Sequence, residues 1–241
     1  MTSIYKTAYP YYSDKKKISE DLIAKDYELT SDEMVMLKKR TPNDINAQLC
    51  FGVLLVVFKN LNYFPELKII PPEIINCARA QLKIPNAQFV TINKMTFSRY
   101  KKHIYKYYGI TPWKLHLVQD CAEKIAIESS KTHNYPADII NIVLEALKKR
   151  GYEFPTFKQL DKIVRLARNT VNQRLCDDVY DSLSEKQIEQ LDSMLETTDE
   201  YQRSGFNELK SLPKNPTITH FRELIKHHDW LVEFGDTHKH L

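Results

Sequence analysis

Apolar residues recur along this chain at steps of three and four, and what interrupts them is proline, glycine and capping residues; strand-length runs of strict alternation are few. The punctuation predicts a succession of helices. Ser31, followed by Asp32 and Glu33, starts a short one through Arg40, and Thr41 with Pro42 at the first helical position opens the next, which carries an apolar run to Lys59. Pro71 and Pro72 begin another through Leu82. Residues 83 to 95 have no helical period and read as a connector, and the helix after them ends at Gly109, a residue suited to the left-handed cap. Thr111 with Pro112 predicts a helix to about Ser130, and the helix from Pro136 to Arg150 is stopped by Gly151. Thr156 caps a long helix to about Ser182, and Ser184 with Gln187 makes a capping box for a helix to Leu195. Ser204 and Thr217 begin the last two, the second ending at Gly235.

Composition supports the same class. Only 5 glycines, 27% charged residues and an abundance of Lys, Glu, Leu and Ile suit an all-α protein, and 42% hydrophobic residues suffice for real cores in 241 residues. The most polar break near mid-chain, Ser130 to Pro136, predicts a boundary between two successive multi-helix domains, 1–130 and 131–241. No fixed-period repeat or low-complexity segment interrupts them. Cys50, Cys77, Cys121 and Cys176 lie 27, 44 and 55 residues apart, with neither a CxxC pair nor the density of a disulfide-stapled domain, so they read as reduced, buried thiols. The longest apolar run, Leu49 to Phe58, is about half of what a membrane span needs, and the N-terminus carries no signal-peptide core. A cytoplasmic protein is expected.

Charge changes the picture. The net charge of +4 conceals an asymmetry: Ile74 to Gln119 holds 8 Lys or Arg and no acid, Lys148 to Arg174 holds 8 bases against Glu153 and Asp161, and Asp177 to Glu208 holds 10 acids against 2 bases. Solvated helices ordinarily mix signs to gain i,i+4 pairs, so an acid-free stretch predicts a surface that meets phosphates. Within it, TFSRYKKHIYKYYG (96–109) drawn as a helix divides in two. Phe97, Tyr100, Ile104, Tyr107 and Tyr108 fall on one side and Arg99, Lys102, His103 and Lys106 on the other, with Lys101 beside them in the basic set. A companion lies further on. Leu160, Ile163, Val164, Ala167 and Val171 make a buried stripe opposite Lys158, Lys162, Arg165, Asn169 and Asn172, and Lys148, Lys149 and Arg150 close the preceding helix. Cations at a helix C-terminus also have a purely local explanation in the helix dipole. Lysine with asparagine on one face, however, is the donor set that reads phosphates and base edges together.

Catalytic constellations are missing. The chain has no GxxxxGK[ST], GxGxxG, GxSxG or HExxH, and so few glycines leave little material for a phosphate-cradling loop. His227 and His228 beside Asp229 point about 100° apart on a helix and do not share a face as metal ligands would, and His238 and His240 near the end read as ordinary surface residues of a tail. Asp177, Asp178 and Asp181 have the spacing of an ordinary solvated helix. No enzyme, cofactor, metal or small-molecule substrate is expected.

The segments YELTSDEMVML, NDINAQLCFGVLLVVFKNLNYFP, IPPEIINCARAQLKI and TFSRYKKHIYKYYGITPW, in that order, resemble the N-terminal region of replicative transposases of the Tn-three type. LKKRGYEFPTFKQLDKIVRLA, LSEKQIEQLDSML, ELKSLP and FRELIKHHDWLVEFG continue the pattern, so the resemblance runs from Tyr27 to Gly235. Thr96, Arg99, His103 and Gly109 match the family's "T...R..H...I....G" helix, while Phe89 to Lys94 and Phe58-Lys59-Asn60 depart from its commoner segments. The resemblance implies a helical part, with helix-turn-helix-like modules, that binds double-stranded DNA at transposon terminal inverted repeats. It also implies that cleavage belongs to a C-terminal RNase-H-like domain with an Asp-Asp-Glu triad, to which nothing here corresponds; a fragment or truncated product associated with the nucleoid is then expected. The expected DNA-binding residues are Arg99, Lys101, Lys102, His103, Lys106, Lys148, Lys149, Arg150, Lys158, Lys162, Arg165, Asn169 and Asn172. Self-association is a further expectation. The alternative is a helical interaction or regulatory module whose basic face docks an acidic partner.

Overall fold

A computed structural model describes Thr7, Tyr9, Pro10, Tyr12 and residues 26–89, 92–196, 204 and 217–234. Among the described residues the protein is all-helical: α1 (Ser31–Arg40), α2 (Ile45–Leu61), a 3-10 turn (Leu67–Ile69), α3 (Pro72–Leu82), α4 (Lys94–Tyr108), α5 (His116–Ser130), α6 (Pro136–Lys149), α7 (Phe157–Ser182), α8 (Glu185–Leu195) and α9 (Ile218–Phe234). The helix expected from Ser204, the stop at Gly235, and His238 and His240 lie outside the described residues.

Helix starts follow side-chain chemistry, and three differ from the sequence expectation. Thr30, not Ser31, caps α1: its hydroxyl accepts from the Glu33 amide while the Glu33 carboxylate accepts from the Thr30 amide. Thr41 ends α1 rather than opening α2, because its hydroxyl turns back to the Leu37 carbonyl at 2.8 Å. Asp44 then caps α2 by accepting from the Asn46 and Ala47 amides, bringing a charge to the positive end of the dipole. Helix α5 starts at His116 rather than near Pro112. The residues before it are committed elsewhere, since Thr111 bridges to Gly151 and Glu153 through backbone hydrogen bonds of 2.9 Å each, and the Trp113 amide donates to the Glu153 carboxylate. The predicted stops at Gly109 and Gly151 hold, both at φ +67°.

The chain divides into two compact units, Met1–Arg168 and Asn169–Leu241. The expected boundary, Ser130 to Pro136, instead joins α5 and α6 as helices of one core. The first unit has two cores. In one, α2 is apolar on every face and buried from Leu49 to Phe58, with α1, α3 and α4 packed around it. In the other, Val118, Ala122 and Ala126 of α5 meet Ile139, Ile140, Val143 and Leu147 of α6 and Leu160, Val164 and Ala167 of α7.

Polar and aromatic groups stitch the two cores together. Asn62, in the left-handed conformation at the end of α2, donates its side-chain amide to the Tyr152 carbonyl and accepts at its own carbonyl from the Phe154 amide. Tyr9 is buried in the second core, its hydroxyl donating to the Pro155 carbonyl at 2.7 Å and its ring against Tyr63 and Phe157.

In the second unit, α8 opens on the predicted capping box of Ser184 and Gln187 and α9 on Thr217. Among the residues after Ala167 whose side chains are described, none is buried. None of the four cysteines is in a disulfide; Cys50 is buried, but Cys77 and Cys121 are half-buried and Cys176 is exposed on α7, contrary to the expectation that all would be inside.

Candidate nucleic-acid interface

Helix α4 begins where the Asn93 side chain accepts from the Thr96 amide and ends at the left-handed Gly109. Its inner face is aromatic. Tyr100 and Ile104 are buried, Tyr100 against Phe51 at 4.9 Å between ring centroids, while Tyr105 meets Phe58 edge-on at 5.6 Å and Phe97 meets Phe64 edge-on at 5.9 Å. Tyr107, expected on this face, is 39% exposed and touches the edge of Tyr108 instead.

Two buried glutamates fix the helix in rotation. The Tyr108 hydroxyl donates to Glu33 of α1 at 2.6 Å, and the Tyr105 hydroxyl donates to Glu153 at 2.8 Å. Both phenols are pushed well above the usual tyrosine range, by burial first, with the neighbouring carboxylate adding to it. Glu153 also accepts from the Trp113 amide at 2.9 Å, and Glu33 also pairs with Lys59 at 3.4 Å.

Lys101 is a correction to the expected DNA-binding set. Its ammonium lies 3.5 Å from Glu153 and 4.7 Å from the centroid of Phe64, with a side chain only 24% exposed. Residues 97, 101, 105 and 108 share one stripe, so the aromatic face that anchors α4 takes this lysine inward with it. The opposite ridge keeps its charge. Arg99, Lys102 and Lys106 are exposed, and among the described residues no carboxylate pairs with any of them. His103 is half-buried between them; burial, then Arg40, Arg99 and Lys106, hold its pKa below the usual histidine value.

Arg40, the last residue of α1, is the contributor that sequence reasoning missed. Lys38, Lys39 and Arg40 could be read as the helix-dipole complement of α1 alone. No sequence signal places Arg40 near His103 of α4. That juxtaposition comes from the Glu33–Tyr108 hydrogen bond across 75 residues.

The cations on the second core fare unevenly. Lys148, Lys149 and Arg150 are all exposed, but Lys149 pairs with Glu145 at 2.7 Å and Arg150 donates to the Ala146 carbonyl of its own helix. Lys148 instead lines a cleft of about 490 Å³ with Lys59, Asn60, Asn62, Asn141 and Glu145. On α7, Lys158 and Lys162 are exposed without an ion-pair partner among the described residues, whereas Arg165 is tied to Asp161 at 2.9 Å. Asn169 and Asn172 are exposed and belong to the second unit. Thus α4 brings Arg99, Lys102, His103 and Lys106 onto one ridge, and the α6 residues with Lys158, Lys162 and Arg165 of α7 stand on a separate core.

Among the described residues no group of three or more His, Cys, Asp or Glu is placed to hold a metal ion, and no helix is long and apolar enough to cross a membrane. Residues 5–167 match the family described as a domain of unknown function, DUF4158. The match covers two thirds of the chain and ends one residue short of the boundary of the first compact unit.

Proposed function

Since the chain belongs to the DUF4158 family, whose description assigns no activity, we propose from its own residues that it binds double-stranded DNA sequence-specifically at transposon terminal inverted repeats, as the N-terminal part of a replicative transposase. Its part in transposition is end recognition, and strand cleavage is the work of other residues than these. One observation carries the proposal: Arg99, Lys102 and Lys106 project from a helix whose other face is clamped by two buried glutamates, with no described carboxylate to neutralise them. A rigid row of unpaired cations suits phosphates, which supply most of the affinity of such complexes. Lys158 and Lys162 on α7 are proposed as the second contact, with Asn169 and Asn172 as candidates for base edges. The resemblance of the sequence to transposases of the Tn-three type supplies the kind of DNA.

Selection from a pool of random duplexes tests the specificity. The expected outcome is a consensus that recurs as an inverted repeat and binds far better than its scrambled form. Replacing Arg99, Lys102 and Lys106 by Ala is expected to lower the slope of log K against log salt by about 2 to 3. Equal binding to scrambled duplex with an unchanged slope refutes the proposal. Displacement of the duplex by an acidic polypeptide, with no selected consensus, would favour a protein partner in its place.

A further inference from the structure

Three cations act on one imidazole where α1 reaches α4. Arg99 and Lys106 stand four residues before and three after His103, so helical geometry alone puts them on either side of the imidazole. Arg40 ends α1, which the Glu33–Tyr108 hydrogen bond ties to α4. Among the described residues the charged groups acting on His103 are cationic, Arg40 from one helix and Arg99 and Lys106 from the other. Carboxylates of the packed elements are committed elsewhere. Glu33 holds Tyr108 and Lys59, Asp44 caps α2, and Asp32 sits in the first turn of α1, two turns from Arg40. Crowding of like charge around a half-buried imidazole raises the energy of the folded chain, and an anion lying across it would relieve that cost.

We propose that Arg40, Arg99, His103 and Lys106 form one cradle for the phosphodiester backbone, so that α1 belongs to the DNA interface and the duplex binds with uptake of a proton by His103. The proposal rests on the DNA-binding reading above and adds to it a residue from a second helix and a dependence on pH. In the unbound chain burial first, and then the surrounding cations, favour neutral imidazole, whereas a phosphate oxygen in the cradle favours imidazolium. The bound pKa therefore exceeds the unbound one. Affinity rises as pH falls between these two values, by up to about tenfold per pH unit, and is flat on either side.

The test measures duplex binding by the full chain at fixed salt from about pH 5.5 to 8.5, a range that brackets the imidazole titration. Wild type is expected to bind more tightly at the acid end. His103→Gln should bind more weakly than wild type at the acid end and lose the pH dependence. Arg40→Ala should weaken binding several-fold and lower the salt slope by about one. Arg40 is exposed and His103 half-buried, and thermal melts coincident with wild type establish that both variants fold. A pH dependence that survives in His103→Gln, or a wild-type salt slope in Arg40→Ala, overturns the proposal while leaving DNA binding intact. Failure of any duplex to bind at any pH overturns the DNA-binding reading and this proposal with it. Inorganic phosphate, titrated against the His103 resonance, distinguishes sources: a response to the ion without one to the duplex overturns the assignment to the nucleic-acid backbone.

Discussion

Removing the carboxylate of Glu153 should loosen α4 more than any change on its exposed ridge. Glu153 is 6% exposed and serves three donors: the buried Trp113 amide at 2.9 Å, the Tyr105 hydroxyl at 2.8 Å and the Lys101 ammonium at 3.5 Å. In Glu153→Ala the Trp113 N–H is left buried without an acceptor, at a cost of about 1 to 3 kcal/mol, and the Tyr105 hydroxyl loses a charge-assisted bond worth a similar amount. Lys101 adds less, because a side chain 24% exposed can turn its ammonium toward water. These losses overlap, and a total of about 3 kcal/mol is expected, a large share of the stability of most domains. Glu153→Gln retains an acceptor for Trp113 but faces Lys101 without charge, and should cost about half as much. Urea unfolding followed by Trp113 emission, with Trp230 replaced by Phe so that one indole reports, measures both. A double-mutant cycle with Tyr105→Phe should return a coupling of about 1 to 2 kcal/mol. Duplex affinity should fall in Glu153→Ala, although the residue is buried away from any DNA, because the ridge of Arg99, Lys102 and Lys106 loses its fixed rotation. A destabilisation under about 1 kcal/mol, or a coupling near zero, would refute the view that this carboxylate anchors α4.

Lys101→Ala should lower stability and leave the salt slope of duplex binding unchanged, whereas Lys102→Ala should do the reverse; binding isotherms at several salt concentrations, paired with melts, separate the two neighbours. Tyr105 and Tyr108 have folded pKa values above the ordinary 10.0, so the protonated phenols stabilise the fold fully below that value; stability should fall as pH rises past it, and Tyr105→Phe with Tyr108→Phe should flatten the alkaline limb of the unfolding curve. Gly109→Ala meets no atom within 4 Å, and its cost of about 1 kcal/mol should come from the left-handed backbone alone, with Gly109→Asn losing less; thermal melts decide. Tyr9→Phe should cost about 1 kcal/mol for the lost Pro155 hydrogen bond, and Tyr9→Ala about 3 or more for the void left among Tyr63 and Phe157, both by urea midpoint.

Local chemistry made the helices legible. Pro72 at the start of α3, Gly109 after α4, Thr156 before α7 and the Ser184–Gln187 box of α8 all act within about four residues, so the order of residues is enough to find them. The starts of α2 and α5 misled because capping groups compete. Thr41 had a choice between closing one helix and opening the next, and Asp44 three residues on is the better acceptor for exposed amides. At α5 the competitor lay further off, since Thr111 and Trp113 are drawn away by Gly151 and Glu153. The boundary placed at Ser130 to Pro136 followed polarity, but a polar turn between helices that share a core looks the same in sequence as a linker.

What the sequence by itself determined is the material of the interface: a helix with an aromatic side, a cationic side and no acid, since period and charge are properties of consecutive residues. Tertiary structure alone decided which cations remain outside. Glu153, which accepts from Tyr105 across 48 residues, also draws Lys101 inward, and Glu33, bonded to Tyr108 across 75, ties to α4 the helix whose last residue, Arg40, acts on His103. Where a charge finds its partner depends on which helices the apolar cores press together, and that is a property of the packed chain.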